Sequence, residues 1–321
     1  MLDVIKGYIR QARIAWYDYK RDIKYSTVIT GYASQEQLLS RLVVEAHTLE
    51  KGLTMPNRKQ LFGKDKALLI LNGCNKYVLK EYNLAESRFH YIVGILVEYC
   101  RIMKDNGITG EVEMIVDGVE KLINSIGDIP IVSQLYDVDK KDFFSQNSAD
   151  FKQFSDSRHS NRYLMGHVDD DILMKALDLA TNSPSTCNRQ SVRLHLIQSE
   201  EAKKKLLTIQ SGNRGFGNLC DQFIVLTSDL SDWPAMHQRH APYVDGGIYL
   251  MNLLYCLHYY QIGACTLNLY LDMDRDIQLH KDLNIPLNEV PIAVVAIGIP
   301  PEHFDIALSK RRKIAEVLTR H

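Results

Sequence analysis

The chain has little that would tie it together through metal or covalent links. Its six cysteines, Cys74, Cys100, Cys187, Cys220, Cys256 and Cys265, include no Cys-x-x-Cys pair, which excludes a zinc knuckle or ribbon. Single scattered thiols with no secretory signal ahead of them lead us to expect a reduced, cytoplasmic protein. The stretch "MLDVIKGYIRQARIAW" carries Asp3, Lys6, Arg10 and Arg13, so it lacks the apolar centre of a signal peptide. No apolar run has the unbroken length of a membrane span. The nearest, "IYLMNLLYCLHYYQIGAC", is interrupted by Asn252, His258 and Gln261 and reads as a buried helix. Charge of one sign is also missing. Thirty-eight Lys and Arg stand against 39 Asp and Glu, a formal net charge of −1, which argues against bulk binding to nucleic acid or to an anionic membrane and leaves room only for a local basic patch. No phosphate-loop motif occurs, and "GNRGFG" (212–217) has the wrong glycine order for a dinucleotide turn. His237 and His240 lie three apart in a loop-like stretch with no clear third ligand, and "DMDRDIQLHKDL" lacks the Gly and terminal Glu of a calcium loop. No metal site is expected.

What is present divides in two. The 321 residues suffice for two domains, and we place the boundary near residue 150. Residues 1–150 read as a helical region. Val4, Ile5, Tyr8, Ile9, Ala12, Ile14 and Ala15 recur at three- and four-residue steps. "SQEQLLSRLVVEAHTLEKGL" has a capping box in Ser34 and Gln37 and a stripe of Leu38, Leu42, Val43, Ala46, Leu49 and Leu53, with Gly52 as a candidate stop. "KDKALLILNGCNKYVLKEY" and "AESRFHYIVGILVEYCRIMKDNG" supply two more helices. Residues 126–157, with Pro130, read as a connector. In residues 151–321 helices and strands alternate. "VRLHLIQS" (192–199), "QFIVLTSD" (222–229) and "VPIAVVAIGIP" (290–300) are strands, and "GACTLN" could start another. "VDGGIYLMNLLYCLHYYQIG" is a long apolar helix capped by Asp245 and closed by Gly263. The fold class is α+β or α/β, preceded by the helical region.

Three polar stretches could carry chemistry. "SRHSNRYL" (157–164) packs Arg158, His159, Ser160 and Arg162 together. In extended backbone Arg158, Ser160 and Arg162 share a side, and two guanidinium forks with a hydroxyl suit a phosphate. An exposed polar turn before a helix is the alternative. "NSPSTCNRQ" (182–190) offers Asn188 and Gln190, whose amides could read a ring with mixed donors and acceptors, or it is a plain loop. "SKRRKIAEVL" brings Lys310, Arg311, Arg312 and Lys313, a solvated basic face or the completion of an anion site.

In this order the stretches resemble the nitroreductase family of FMN-dependent oxidoreductases. "RHSNR" is similar to its Arg-x-Ser-x-Arg/Lys opening and "PSTCNRQ" to its Pro-Ser-Ser/Thr-x-Asn-x-Gln turn. "VDGGIYLMNLLYCLHYYQIGACTLN" looks like its long helix, and "AIGIPP" with Lys310 and Arg312 like its close. The resemblance spans 158–318 and implies a three-layer α-β-α sandwich. It implies that Arg158, His159, Ser160 and Arg162, with Lys310 and Arg312, hold the FMN phosphate and ribityl chain. Pro184, Ser185, Thr186, Asn188 and Gln190 would line the isoalloxazine, typically from a partner subunit, and Cys265, Thr266 and Leu267 would lie near the ring. It further implies a homodimer that passes electrons from NADH or NADPH to an electron-poor acceptor by a ping-pong route, with no catalytic acid or base from the protein. Ser191-Val192 depart from the family's usual Pro-Trp or Pro-hydrophobic after the Gln. The helical extension, with "EAHTLEKGLTMPN" (45–57), resembles nitroreductase-like proteins associated with polysaccharide biosynthesis. Its His47, Glu50 and Lys51 could equally cap or bridge helices. The competing expectation is an interaction scaffold, with or without flavin.

Overall fold

The computed structural model describes residues 2–25, 34–108, 110–127, 135–233, 238–269 and 271–321. Pro130 and His237 lie outside them. The chain forms two compact units. One comprises Met1–Thr54, Arg58–Tyr136 and Ala307–His321, the other Met55–Asn57 and Asp137–Ile306.

The first unit is helical: α1 (Leu2–Tyr25), α2 (Gln35–Leu53), α3 (Lys64–Leu79), α4 (Ser87–Asp105) and α5 (Glu113–Ile126). Helix α2 starts where the capping box placed it. The Gln37 N–H donates to Ser34 Oγ and the Ser34 N–H to Gln37 Oε1, each at 3.2 Å. Gly52 does not stop the helix, which runs on to Leu53. Leu38, Leu42, Ala46, Leu49 and Leu53 point inward against Ile70, Cys74, Ile92, Leu96, Tyr99 and Val119. Tyr77 stacks on Phe89 with ring centroids 4.6 Å apart. The stretch 45–57 contributes an internal bridge. Glu50, fully buried, accepts from Tyr91 Oη at 2.8 Å and from the Ser309 N–H and Oγ at 3.1 and 3.0 Å, and it lies 3.0 Å from His47 Nδ1. A buried carboxylate is tolerated where its lone pairs are met in this way.

The second unit is a sandwich. Its central sheet has the order β2 (Val192–Ile197), β3 (Gln222–Asp229), β5 (Glu289–Gly298), β4 (Gly263–Leu267), antiparallel throughout. Alternation along the strands sends side chains to two faces. Phe223, Val225, Val294 and Ala296 pack with Leu206 and Ile209 of α9 (Glu200–Ile209) and Leu279 of α11 (Met273–Asp282). Ile224, Leu226, Val295 and Ile297 pack with α8 (Asp170–Ala180) and α10 (Ala241–Tyr259). The fold is therefore α+β, an α-β-α sandwich with a helical region ahead of it. The expected connector holds structure of its own: β1 (Leu135–Asp139), α6 (Lys140–Phe143) and α7 (Phe151–Ser157), with β1 pairing to β6 (His303–Ala307) in a separate two-stranded sheet. Asp245 is not the cap of the long helix. The helix begins at Ala241, and Asp245 lies inside it, buried.

Candidate anion and ring-binding site

Residues 158–166 leave α7 and run beside the end of the sheet. The Asn161 N–H donates to the Ala264 carbonyl of β4 at 2.9 Å, and Gly166 and Ile299 exchange backbone bonds of 2.9 and 2.8 Å. Gly298 makes this passage possible, since a Cβ there would lie 2.0 Å from the Leu164 carbonyl oxygen. The glycine of "AIGIP" thus fixes where the arginine segment passes. It also brings that segment onto the strand that holds Cys265, Thr266 and Leu267. Cys265 and Leu267 are buried and Thr266 is exposed.

Arg162 is the decisive side chain. It is 6% exposed, and its Nε is buried with no hydrogen-bond partner. Among the described residues no carboxylate pairs with it. Nearby Asn161 is fully buried, its Oδ1 taken by the Tyr163 N–H at 2.7 Å and its Nδ2 unpartnered. Leaving a guanidinium buried without a counter-charge costs several kcal/mol, so the Arg162 side chain fits an anionic group. Arg158 and Ser160 are half-buried in the same segment. Arg158 follows directly on α7, which is fastened to α10 by Ser155 Oγ to Tyr255 Oη at 2.8 Å and by Ser157 Oγ to His258 Nε2 at 2.9 Å. Burial, with help from the charges of Arg158 and His159, pushes the His258 imidazole down to about 4.

The second group lies on the turn between α8 and β2. Asp245 receives both the Thr186 N–H and Thr186 Oγ1 at 2.8 Å. Asn252, also from α10, donates to the Ala180 carbonyl and to Ser183 Oγ at 3.1 and 3.0 Å. So held, Cys187, Asn188 and Gln190 adopt φ values of 52°, 55° and 52°, a region that non-glycine residues rarely occupy and one that marks a constrained turn. Ser185 Oγ accepts from the Gln190 N–H at 3.0 Å, and Gln190 Nε2 donates to Asn188 Oδ1 at 3.2 Å. Pro184, Asn188 and Gln190 are exposed. The Asn188 and Gln190 amides thus stand side by side on exposed residues.

Both groups hang on α10 but far apart. Asp245 and His258 are separated by thirteen residues, about 20 Å of helix. The turn leads into edge strand β2, whereas the arginine segment bonds to the opposite edge strand, β4. Lys310 and Arg312 belong to the helical unit. Lys310 is exposed, and Arg312 lies 3.5 Å from Glu86 and 3.7 Å from Glu316. Sequence reasoning missed Asn161 and misread Asp245. Nothing in local sequence marks the first, and an Asp at the start of an apolar run looks like a cap.

The nitroreductase family model matches residues 156–213, the stretch that holds the arginine segment, α8, the turn, β2 and α9. The motif resemblance is borne out there. No curated protein matches the chain. Solved structures similar to it include a nitroreductase family protein from Streptococcus pneumoniae at 17% identity, which covers 53% of this chain and 100% of that one with a TM-score of 0.47. A nitroreductase family protein from Clostridium difficile 630 is 20% identical and covers 53% of this chain and 97% of that one, with a TM-score of 0.44. An FMN-dependent nitroreductase from Clostridium difficile R20291 is also 20% identical, covering 51% and 92% with a TM-score of 0.40.

Proposed function

With residues 156–213 carrying the nitroreductase signature, we propose that the sandwich unit is an FMN-dependent NAD(P)H oxidoreductase. The observation that carries this reading is the buried guanidinium of Arg162, whose Nε has no hydrogen-bond partner and which pairs with no carboxylate among the described residues. Arg162, with Arg158, His159 and Ser160, would hold the FMN phosphate through charge-assisted bonds. Bound FMN would supply the redox chemistry, taking two electrons from NADH or NADPH and passing them in turn to an electron-poor acceptor such as a quinone or nitro compound. The protein's share is position and field. The turn of Pro184, Ser185, Thr186, Asn188 and Gln190 presents amide edges that match a flavin ring's mixed donors and acceptors. The backbone around Cys265, Thr266 and Leu267 borders the same region as the arginine segment. Positive charge from the arginines favours an anionic reduced ring. The chain's own side chains need move no proton.

A second copy completes the site in this reading. The turn and the arginine segment lie on opposite edges of one sheet, so a ring whose phosphate rests on one chain is reached by the turn of another. The long helix supports it. Tyr243, Val244, Ile248 and Met251 of α10 are exposed in the single chain, an apolar stripe of the kind that marks an interface.

The test is spectroscopic. Purified protein given FMN should show a shifted flavin band near its visible maximum and lose that colour anaerobically on addition of NADH or NADPH, then regain it with a quinone. Protein that binds FMN but is not bleached by either nicotinamide would instead be a flavin-binding scaffold, the reading the helical extension invites.

A further inference from the structure

Helix α1 turns an apolar face to solvent. Ile5, Ile9, Ala12, Trp16 and Tyr19 follow at alternating steps of four and three residues and so share one side of the helix. Val4 and Tyr8 widen that side. Val4, Ile5, Tyr8, Ile9, Trp16 and Tyr19 are each at least half exposed, and none of the described side chains of α1 belongs to the core of the helical unit. The rings of Trp16 and Tyr19 stack with centroids 5.5 Å apart. Along one border of the face Lys6, Arg13 and Lys20 recur every seven residues, nearly in line along the axis. The Lys20 ammonium stands 5.9 Å from the Trp16 ring centroid.

Charge says what covers this face. Leu2–Tyr25 holds six Lys and Arg against three Asp, a net charge of +3 in a chain whose total is −1. An apolar face bordered by cations complements a surface that is apolar within and anionic at its rim. A helix–helix seam fits less well. Its contact positions favour Leu, Ile and Val, whereas here they include Trp16 and Tyr19, and the apolar sector extends beyond them to Val4 and Tyr8. Rings with a polar tip instead suit the boundary between headgroups and acyl chains. No described helix is long and apolar enough to cross a membrane, so the contact is in the plane of the surface.

We propose that α1 lies on an anionic lipid surface, with Ile5, Ile9, Trp16 and Tyr19 at the acyl boundary and Lys6, Arg13 and Lys20 on lipid phosphates. The stems of these cations can lie along the apolar face while their heads reach the phosphates.

Vesicle sedimentation with the full chain tests this. Phosphatidylcholine vesicles doped with phosphatidylglycerol should pull the protein down, and added salt should release it. Vesicles of phosphatidylcholine alone should leave it in solution. Removing the three cations together (Lys6→Gln, Arg13→Gln, Lys20→Gln) should weaken partitioning by roughly fivefold per cation. Ile9→Asp should abolish it while circular dichroism and the thermal melt stay at wild-type values. In a Trp233→Phe background, which leaves Trp16 as the remaining tryptophan, emission should move to the blue on the doped vesicles. Equal binding to both vesicle types, or binding to neither, overturns the proposal. So does a fall in solution mass with Ile9→Asp in a wild type that ignores vesicles, because the face would then pack on another copy.

Discussion

At Arg162 burial and charge pull against each other, a conflict that the proposed anion would resolve. The sequence made Arg158 and Arg162 equivalent, two cations on one side of an extended segment. Which of them is enclosed depends on Gly298 and β4, more than a hundred residues away, and no local pattern carries that information. His258 shows the same dependence. Read from sequence it interrupts an apolar helix. In the structure it is 3% exposed and held near 4 by burial first and by Arg158 and His159 after. The unfolded imidazole takes its proton near 6.5, so below that pH the unfolded chain binds more protons than the folded one. Stability should therefore be intact above about pH 6.5 and fall as the pH drops toward 4, by up to about 3 kcal/mol. Urea unfolding across that window should show the slope, and His258→Gln should flatten it.

Among the elements, strands β3 and β5 were the most legible, because a run buried on both faces needs no partner information to be recognised. Strand β3 begins and ends where "QFIVLTSD" does. Strands β1 and β6 were missed. "LYDVD" and "HFDIA" are short, acid-bearing and partly exposed, and each becomes a strand only by pairing across the chain. The turn 184–190 was recognised by composition, but its anchor was not. Asp245→Ala should strand the Thr186 N–H and hydroxyl in a half-buried place and cost about 2 kcal/mol, read as a lower melting temperature. It should also loosen the strained φ values at Cys187, Asn188 and Gln190 and so weaken FMN binding. A variant with unchanged FMN affinity would separate the turn from the ring.

For the whole molecule, the single chain leaves the apolar stripe of α10 exposed and the two proposed binding groups at opposite edges of one sheet. A twofold assembly would cover the first and join the second. Ile248→Asp, in the middle of the stripe, should convert a dimer to a monomer by analytical ultracentrifugation and release FMN with it. A monomeric wild type that holds FMN would contradict the shared site. The helical unit was legible as helices from periodicity and one capping box. Its Glu50 bridge to Ser309 was not, since it joins residues 259 positions apart.

The central claim is that the buried Arg162 guanidinium, unpaired with any carboxylate among the described residues, binds a phosphate, and the difference between FMN and riboflavin tests it directly, since the two share the ring and differ in the phosphate. Titrated into the apoprotein and followed by flavin fluorescence, FMN should bind at least about a hundredfold more tightly than riboflavin, the equivalent of one charge-assisted pair or two. In folded Arg162→Gln that ratio should collapse toward one. Equal affinities for the two flavins in the wild type, or an unchanged ratio in the variant, would contradict it.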